Sequence, residues 1–448
     1  MTERRGGLFC KSSSRRFAQT VCCHGPMAHC GVVAIRNRLY PAADQEFGCL
    51  RHCAQARFVW NLAVEQQSWW WPGRGSAPGS AERQRQLAEA RSGEPWLRDG
   101  SSSVQQQALR DFDRAMAAFF DPANHAGKPR FRSKRGAQGF VIRDTRVRRL
   151  SRRWGQVFVP KVGWVRFRWT RPLPPRLAMA RVSVDGAGRW HVSFPAPQPA
   201  VDREPTGKAV GLDRGVRTAL VTSDGQHYRA PRISDRQARR YLCLQRRFSR
   251  QRKGSAKREK TRHAMAVLAA RAADRRKDWA EKLSTRFVRE HDVIVLEKLN
   301  IKGMTRKPVP KPDPEKAGNF LPNKARAKAG LSRGILASCW GTLGQRIEQK
   351  AQAAGVTAVF TDPRFTSQQC CACGHTSPGN RDNQAVFRCE GCGHQDHADV
   401  NAAKNILARG LALTTDEIVP AHAPGHGVPR PRKSLARAGA AGTTRTAA

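Results

Sequence analysis

The sequence predicts a multidomain chain that joins α/β folding to a small β-barrel, and three observations predict it. Short basic strands separated by turn residues fill 127–194. Two strand-like segments, Ala209 to Val216 and the wholly apolar Val293-Ile294-Val295-Leu296, flank a long helical region, and two cysteine knuckles stand just ahead of a C-terminal helix. The first pattern belongs to a barrel or sandwich, the second to an α/β sheet with one strand covered on both faces, and the third to a ribbon closed by a metal. At 448 residues the chain has room for two or three domains with a core in each.

From the N-terminus, Met1 to Cys30 has no periodicity and is expected to be an unstructured extension, with Met27 a candidate start. Ser14-Arg15-Arg16-Phe17 is superficially similar to a twin-arginine export signal. Ala18 to Cys30, however, holds Cys22-Cys23-His24-Gly25-Pro26 where an apolar stretch is needed, so a cytoplasmic location is expected. Val32 to Leu39 sets Val33, Ile35 and Leu39 among arginines, as a strand with two faces does. Pro41 to Gln67 carries Phe47, Leu50, Ala54, Phe58 and Leu62 at helical spacing, and Trp69-Trp70-Trp71-Pro72-Gly73 closes it. Two further helices are expected, Ala81 to Ala90 and Ser103 to Phe120. From Gly127 the period falls to two: 128–135, 140–143, 156–160, 163–169, 181–185 and 190–194 read as strands, with Asp185-Gly186-Ala187-Gly188 a hairpin turn. Phe131, Trp154, Phe158, Trp164, Phe167 and Trp169 alternate with arginines. Such rings can stack on bases, but for most of these a place in the barrel core is the expectation.

Ala209 to Val216 and Ala219 to Thr222 read as paired strands ending at Ser223-Asp224-Gly225. A basic helical region runs from about Asp235 to Glu290 and breaks at Lys253-Gly254-Ser255, giving a helical hairpin. Met304 to Lys328 is rich in proline and lysine and reads as a mobile loop. Trp340 to Ala353 is an expected helix and Val356 to Phe360 an expected strand. Beyond Leu411 periodicity is lost, and 413–448 is expected to be a disordered basic tail.

Lysine and arginine number 81 against 35 acidic residues, a formal charge of +46. A chain so charged repels itself unless a polyanion neutralises it. Nucleic acid is the expected partner, because each phosphate contact releases counterions. The arginines and lysines of the helical hairpin have too few acidic counterparts to form a solvated, self-balanced face, so this hairpin is expected to face nucleic acid. A membrane partner is not expected, since no long apolar run or lipid anchor is present.

The knuckles are Cys370-Cys371-Ala372-Cys373-Gly374-His375 and Cys389-Glu390-Gly391-Cys392-Gly393-His394. Two thiolates two residues apart turn onto one ion, and the 15 residues between Cys373 and Cys389 suffice for a hairpin that brings the pairs together. The spacing therefore predicts a structural Zn2+ held by Cys370, Cys373, Cys389 and Cys392. A disulfide framework is the bland alternative, but it suits small secreted chains. His375, His394 or His397 could replace one thiolate, although four already complete a shell. The remaining cysteines, Cys371 among them, have no usable paired spacing and are expected to be incidental.

Asp213 and Glu297 each end an expected strand, and Asp399 opens a helix. Strand ends of an α/β sheet meet in one cleft, where three carboxylates would hold Mg2+ for phosphodiester hydrolysis. Each acid also has a plain reading: turn residue, strand-end charge, helix cap.

Taken with their surroundings, these residues resemble the TnpB-type proteins of the insertion-sequence OrfB transposase family, relatives of the type V CRISPR effector nucleases. The matching segments are Arg57-Phe58-Val59-Trp60-Asn61, Gly127-Lys128-Pro129-Arg130-Phe131, Gly211-Leu212-Asp213-Arg214-Gly215-Val216, Val295-Leu296-Glu297-Lys298-Leu299-Asn300 with Ile301-Lys302-Gly303-Met304, Asp362-Pro363-Arg364-Phe365-Thr366-Ser367-Gln368, the four cysteines, and Asp399-Val400-Asn401-Ala402-Ala403. The resemblance implies a wedge β-barrel (31–40 and 126–205) interrupted by a helical recognition domain (41–125). An RNase H-like RuvC nuclease domain (206–365 and 397–412) with an inserted zinc ribbon (366–396) would follow. It further implies a guide RNA from the chain's own element, cleavage of matching double-stranded DNA with a displaced single strand, and Asp213, Glu297 and Asp399 as the catalytic, magnesium-binding acids. His397 and Ala398 depart from the charged residues the family often carries there, which argues for a peripheral His397. Two rivals remain at this point. A guided repressor that no longer cuts is disfavoured by the intact acids, and an accessory or strand-transfer transposase is disfavoured because Tyr40, Tyr228 and Tyr241 sit in no His-containing metal motif.

Overall fold

The computed structural model describes residues 32–69, 77–316, 318–383 and 385–416. The expected N-terminal extension, Trp70-Trp71-Pro72-Gly73 and the tail from 417 onward lie outside the described residues.

The first half is built on one antiparallel sheet. Strand β1 (Val32–Tyr40) leads into α1 (Ala43–Ser68), α2 (Ser80–Gly93), the single turn α3 (Pro95–Arg98) and α4 (Ser102–Phe120). The chain then returns as β2 (Gln138–Arg143), β3 (Val147–Arg149), β4 (Trp154–Val159), β5 (Gly163–Arg168), β6 (Met179–Val184) and β7 (Trp190–Pro197), in the order β2-β6-β7-β1-β5-β4-β3. β1 pairs with β7 along Val32 to Arg38 and passes to β5 at Leu39 and Tyr40, so the sheet turns a corner on this strand. Its two edge strands, β2 and β3, are separated by only residues 144–146, with Asp144 left-handed at φ 48°. The edges must therefore approach each other, and the sheet curls as a barrel does. Strict alternation supplies the interior: Val157, Val159, Val165, Phe167, Val182, Val192 and Phe194 are wholly buried.

Two expectations fail here. Residues 128–135 form no strand; instead the Trp60 indole donates to the Arg130 carbonyl (2.9 Å), Asn61 exchanges hydrogen bonds with the Arg132 backbone (2.7 and 3.1 Å), and the Arg132 guanidinium lies over the Trp60 ring. Side chains of α1 replace the ladder, which a strand pattern cannot reveal. Among the six aromatics, Phe167 alone is core and Trp169 packs partly against it. Phe131 is exposed, while Trp154, Phe158 and Trp164 are half-buried under arginines, with Arg146 3.9 Å from the Phe158 centroid and Arg148 4.5 Å from that of Trp164. Arginines distant in sequence cover these rings in space, Arg166 and Arg168 lying over Trp154 in the same way.

The second half holds a five-stranded sheet. Its strands are β8 (Ala209–Asp213), β9 (Leu220–Thr222), β10 (His227–Tyr228), then, after α5 (Asp235–Arg250) and α6 (Ala256–Glu290) have crossed over, β11 (Val293–Glu297), and a fifth strand described below. Ser234 and Ser255 accept hydrogen bonds from the first turns of α5 and α6, so the break read at Lys253-Gly254-Ser255 is a helix end and a new N-cap. α5 has no buried residue, as its arginine content demands. Beyond β11 come the turn α7 (Ile301–Met304), the hairpin strands β12 (Lys311–Pro312) and β13 (Phe320–Leu321), α8 (Ala325–Ala337), α9 (Trp340–Ala354) and β14 (Thr357–Thr361). The expected loop at Met304 to Lys328 thus contains regular elements, and the Ala325 amide that opens α8 donates to the Asn323 side chain at 3.2 Å. The ribbon hairpin β15 (Val386–Arg388) and β16 (Gln395–His397) precedes α10 (Ala398–Asp416), which continues four residues into the expected tail.

The sheet order is β10-β9-β8-β11-β14, with β8, β11 and β14 parallel and β9 and β10 antiparallel additions. Ile294, Val295 and Leu296 at its centre are wholly buried, as a continuous apolar run requires. α6 and α9 contribute Leu283, Phe287, Leu343 and Ile347 to its core. α10 lies close on β8, where a Cβ on Gly211 would meet the Ala403 carbonyl oxygen at 2.1 Å. No described helix is long and apolar enough to cross a membrane.

Candidate active site and metal centre

Parallel pairing of β8 and β11 in the register Leu212 to Leu296 carries Asp213 and Glu297, the next residue on each strand, to neighbouring strand ends. α10 begins at the same end and presents Asp399 in its first turn. The three acids line one cavity of about 280 Å³, together with Arg214, Thr366 and Arg381. Burial, then the charges of Glu297 and Asp399, push the Asp213 carboxyl up to about 7. Burial also raises Glu297, with a hydrogen bond from Thr366 and the charge of Arg214 working against it. A cluster that holds on to protons in this way favours a bound divalent cation, and its donors are hard carboxylate oxygens of the kind Mg2+ takes.

Three further residues shape this cavity. The Thr366 hydroxyl donates to Glu297 Oε1 at 2.9 Å, the Arg214 guanidinium donates to the Glu297 carbonyl oxygen, and Arg381 donates to Asp399 Oδ1 at 3.3 Å. Arg381 follows a 3-10 turn at Pro378–Asn380 and bridges to Phe387, so the ribbon contributes a cation to the acids. Arg214 and Thr366 stand inside the motifs quoted above, whereas no spacing marks Arg381. His397 lies at the margin: its Nδ1 accepts from the Asp399 amide at 3.2 Å and its ring packs on His227.

The four predicted thiols converge, with all four sulfurs within 4.8 Å of one another. Cys370 Sγ stands 3.8 Å from Cys392 Sγ, and Cys373 Sγ 3.6 Å from Cys389 Sγ. A tetrahedron with metal–sulfur bonds of roughly 2.3 Å has sulfur–sulfur edges of about 3.8 Å, so the cluster fits zinc. Each knuckle closes the same way, Gly374 donating to Cys370 and Gly393 to Cys389, both at 3.0 Å. Both glycines are left-handed, at φ 78° and 74°, as the turn requires. None of His375, His394 and His397 belongs to this cluster. Cys371, expected to be incidental, instead lies with its sulfur 3.6 Å from His394 Nε2 and beside Asp396.

Three family descriptions match the chain: "Helix-turn-helix domain" over 33–76, "Probable transposase" over 191–307, and "Cas12f1-like, TNB domain" over 340–406. Among relatives, the chain is 31% identical over 385 residues to the "Putative RNA-guided DNA endonuclease InsQ" of Escherichia coli, covering 85% of this chain and 92% of that one. It is 32% identical over 414 residues to a "Putative RNA-guided DNA endonuclease" of Streptomyces pristinaespiralis, covering 91% and 94%. A solved Cas12f1 complex with guide RNA and target DNA aligns over 81% of this chain and 82% of that one, with 14% identity and a TM-score of 0.45. With two relatives above 30% identity matched over nearly their whole length, the chain belongs to the TnpB-type family of insertion-sequence OrfB proteins.

Proposed function

We propose that this protein is an RNA-guided DNA endonuclease of a transposable element, cutting DNA by metal-dependent phosphodiester hydrolysis at Asp213, Glu297 and Asp399. The observation that carries the reading is the meeting of three acids from β8, β11 and α10 in one cavity, where burial and then the charges of Glu297 and Asp399 raise the proton affinity of Asp213. In this reading the sheet order of three antiparallel strands continued by two parallel ones belongs to an RNase H-like RuvC domain (206–365 and 397–412). The barrel (31–40 and 126–205) is the wedge, 41–125 the recognition domain and 366–396 the zinc ribbon. Bound Mg2+ would supply an activated water and stabilise the leaving oxygen.

The chain's own residues would do the rest. Asp213, Glu297 and Asp399 hold the cation, Thr366 fixes the Glu297 carboxylate by its hydroxyl, and Arg381 steadies Asp399 while offering positive charge beside the scissile phosphate. The surplus of cationic side chains, with the solvent-facing arginines of α5, binds guide RNA and both DNA strands. The guide is expected to come from the chain's own element. A guided repressor would have no use for three acids gathered in one cavity, so cleavage is preferred.

The test is cleavage of a plasmid matching the RNA that copurifies with the protein, in magnesium. Asp213→Ala, Glu297→Ala and Asp399→Ala should each abolish cutting while guided binding persists. Undiminished cutting by any one of them, or loss of binding in all three, overturns the assignment.

A further inference from the structure

We propose that Cys371, His394 and Asp396 form a second zinc site, distinct from the four cysteines, which ties the first knuckle to the second and to β16. The sulfur, an imidazole nitrogen and a carboxylate oxygen of these residues all lie within 4.8 Å of one another, and each residue is half-buried. Cys371 Sγ is 3.6 Å from His394 Nε2. A tetrahedral zinc with bonds of roughly 2.3 Å to sulfur and 2.0 Å to nitrogen separates those two atoms by about 3.5 Å, so the pair already has the required span. Asp396 Oδ2 stands 4.0 Å from the same nitrogen, against the roughly 3.3 Å that two zinc bonds of about 2.0 Å would give.

The site is held in place. Cys371 follows a ribbon ligand in sequence, yet its thiol is grouped with His394 and Asp396 and not with the four sulfurs. Its backbone amide donates to Asn401 Oδ1 at 2.9 Å, which fixes the knuckle against α10. The Asp396 carboxylate accepts from the His397 amide (2.7 Å) and from Lys404 Nζ (2.7 Å), so its orientation is set by its neighbours, as with carboxylates that ligate metals. Thiolate, imidazole and carboxylate are the donor types zinc takes, and the soft sulfur disfavours magnesium and calcium. Three protein ligands leave a fourth position for water, so this ion should be held less tightly than that of the tetrathiolate.

The proposal predicts two zinc equivalents per chain. Full-length protein equilibrated with zinc chloride and dialysed would be assayed by elemental analysis and by stepwise removal with a chelator. Two equivalents are expected, the first leaving at a chelator concentration lower by about tenfold or more. Cys371→Ser and His394→Gln should each retain one equivalent and lose the early step, with circular dichroism and melting showing the fold intact. Cobalt titration supplies an independent readout: thiolate-to-cobalt absorption should develop in two steps of about four to one in intensity, from four sulfurs and then one. A single equivalent in the unmodified chain, unchanged in Cys371→Ser, would leave a thiol–imidazole hydrogen bond only and overturn the proposal. Two equivalents persisting in both variants would overturn it as well. Loss of the four-sulfur step alone would count against the ribbon and leave this site standing.

Discussion

Gly211→Ala tests how the fold delivers Asp399 to the other acids. The residue lies in β8 beneath α10, where an added methyl would stand 2.1 Å from the Ala403 carbonyl oxygen and 2.8 Å from the Leu407 Cβ. Ordinary contact begins near 3.4 Å, so α10 must retreat by about 1.3 Å or tilt. The obstacle is backbone and cannot rotate away. Overpacking of this kind costs about 1–3 kcal/mol, a loss of a few degrees in melting temperature for a domain of this size. The functional cost should be larger than the thermodynamic one, because α10 carries Asp399 in its first turn and a displacement of about 1 Å at a reacting centre costs about 100-fold in rate. Single-turnover cleavage of a matched plasmid by the guide-loaded protein measures the rate, and gel retardation of the same complex measures binding. Cleavage should fall about 100-fold with binding nearly unchanged. Gly330→Ala, where the nearest obstacle is a flexible Arg333 tip at 3.9 Å, is the control. Wild-type cleavage by Gly211→Ala, or equal losses of cleavage and binding, would refute the reasoning.

Three further outcomes are expected. Thr366→Val keeps the side-chain volume but removes the hydroxyl that donates to Glu297, so cleavage should drop about tenfold with melting little changed; an unaltered rate would dismiss the contact. Cys370→Ser should cost one zinc equivalent and destabilise the ribbon, which elemental analysis and limited proteolysis would register. Asp185, in the β6–β7 turn, is held at about 2, against the desolvation that would raise it, by the Arg189 amide and guanidinium and by His191. A carboxyl lowered in the folded state contributes stability above its unfolded value near pH 4, and loses it as pH falls through the folded value. Asp185→Asn should therefore cost about 1–2 kcal/mol at pH 7, after discounting for solvent screening, and the gap in urea midpoints should close as pH falls from about 5 to about 2. A gap independent of pH would show that the turn depends on shape alone.

The features legible in the sequence are those whose cause is local or periodic. The buried strand at Val293 to Leu296 announces itself because nothing polar can stand in a sheet centre, and the helical hairpin because Ser255 caps what the glycine before it interrupts. The knuckles are legible because two-residue spacing is itself the geometry. What stayed hidden depends on partners distant in the chain. Residues 128–135 look like a strand, but Trp60 and Asn61 satisfy their backbone from a helix 70 residues earlier. Trp154 and Trp164 look like core until arginines on other strands of the same sheet cover them. Arg381 has no motif of its own; its role follows from the way the ribbon folds back on α10. Cys371 looks incidental because its neighbours, His394 and Asp396, belong to the second knuckle and the strand after it.

α10 explains why Asp399-Val400-Asn401-Ala402-Ala403 reads as a unit. Asp399 turns to the cavity and meets Arg381. Two residues on, Asn401 reaches the ribbon, accepting from the Cys371 amide and donating to the Gln369 carbonyl at 2.7 Å. Ala402 and Ala403 are almost wholly buried, small enough to let the helix settle on Gly211. One turn later Asn405 donates to the carbonyls of Thr366 and Gln369, fixing the residue whose hydroxyl holds Glu297. A single helix therefore sets the positions of two acids, one directly and one through Thr366, and of the first zinc knuckle. Because the Asn401 and Asn405 side chains are buried, loss of a partner leaves a polar group unpaired and costs about 1–3 kcal/mol. It follows that loss of metal from the ribbon should reach the acids through Asn401 and Asn405, so chelation of zinc is expected to slow cleavage before it unfolds the β8–β11 sheet.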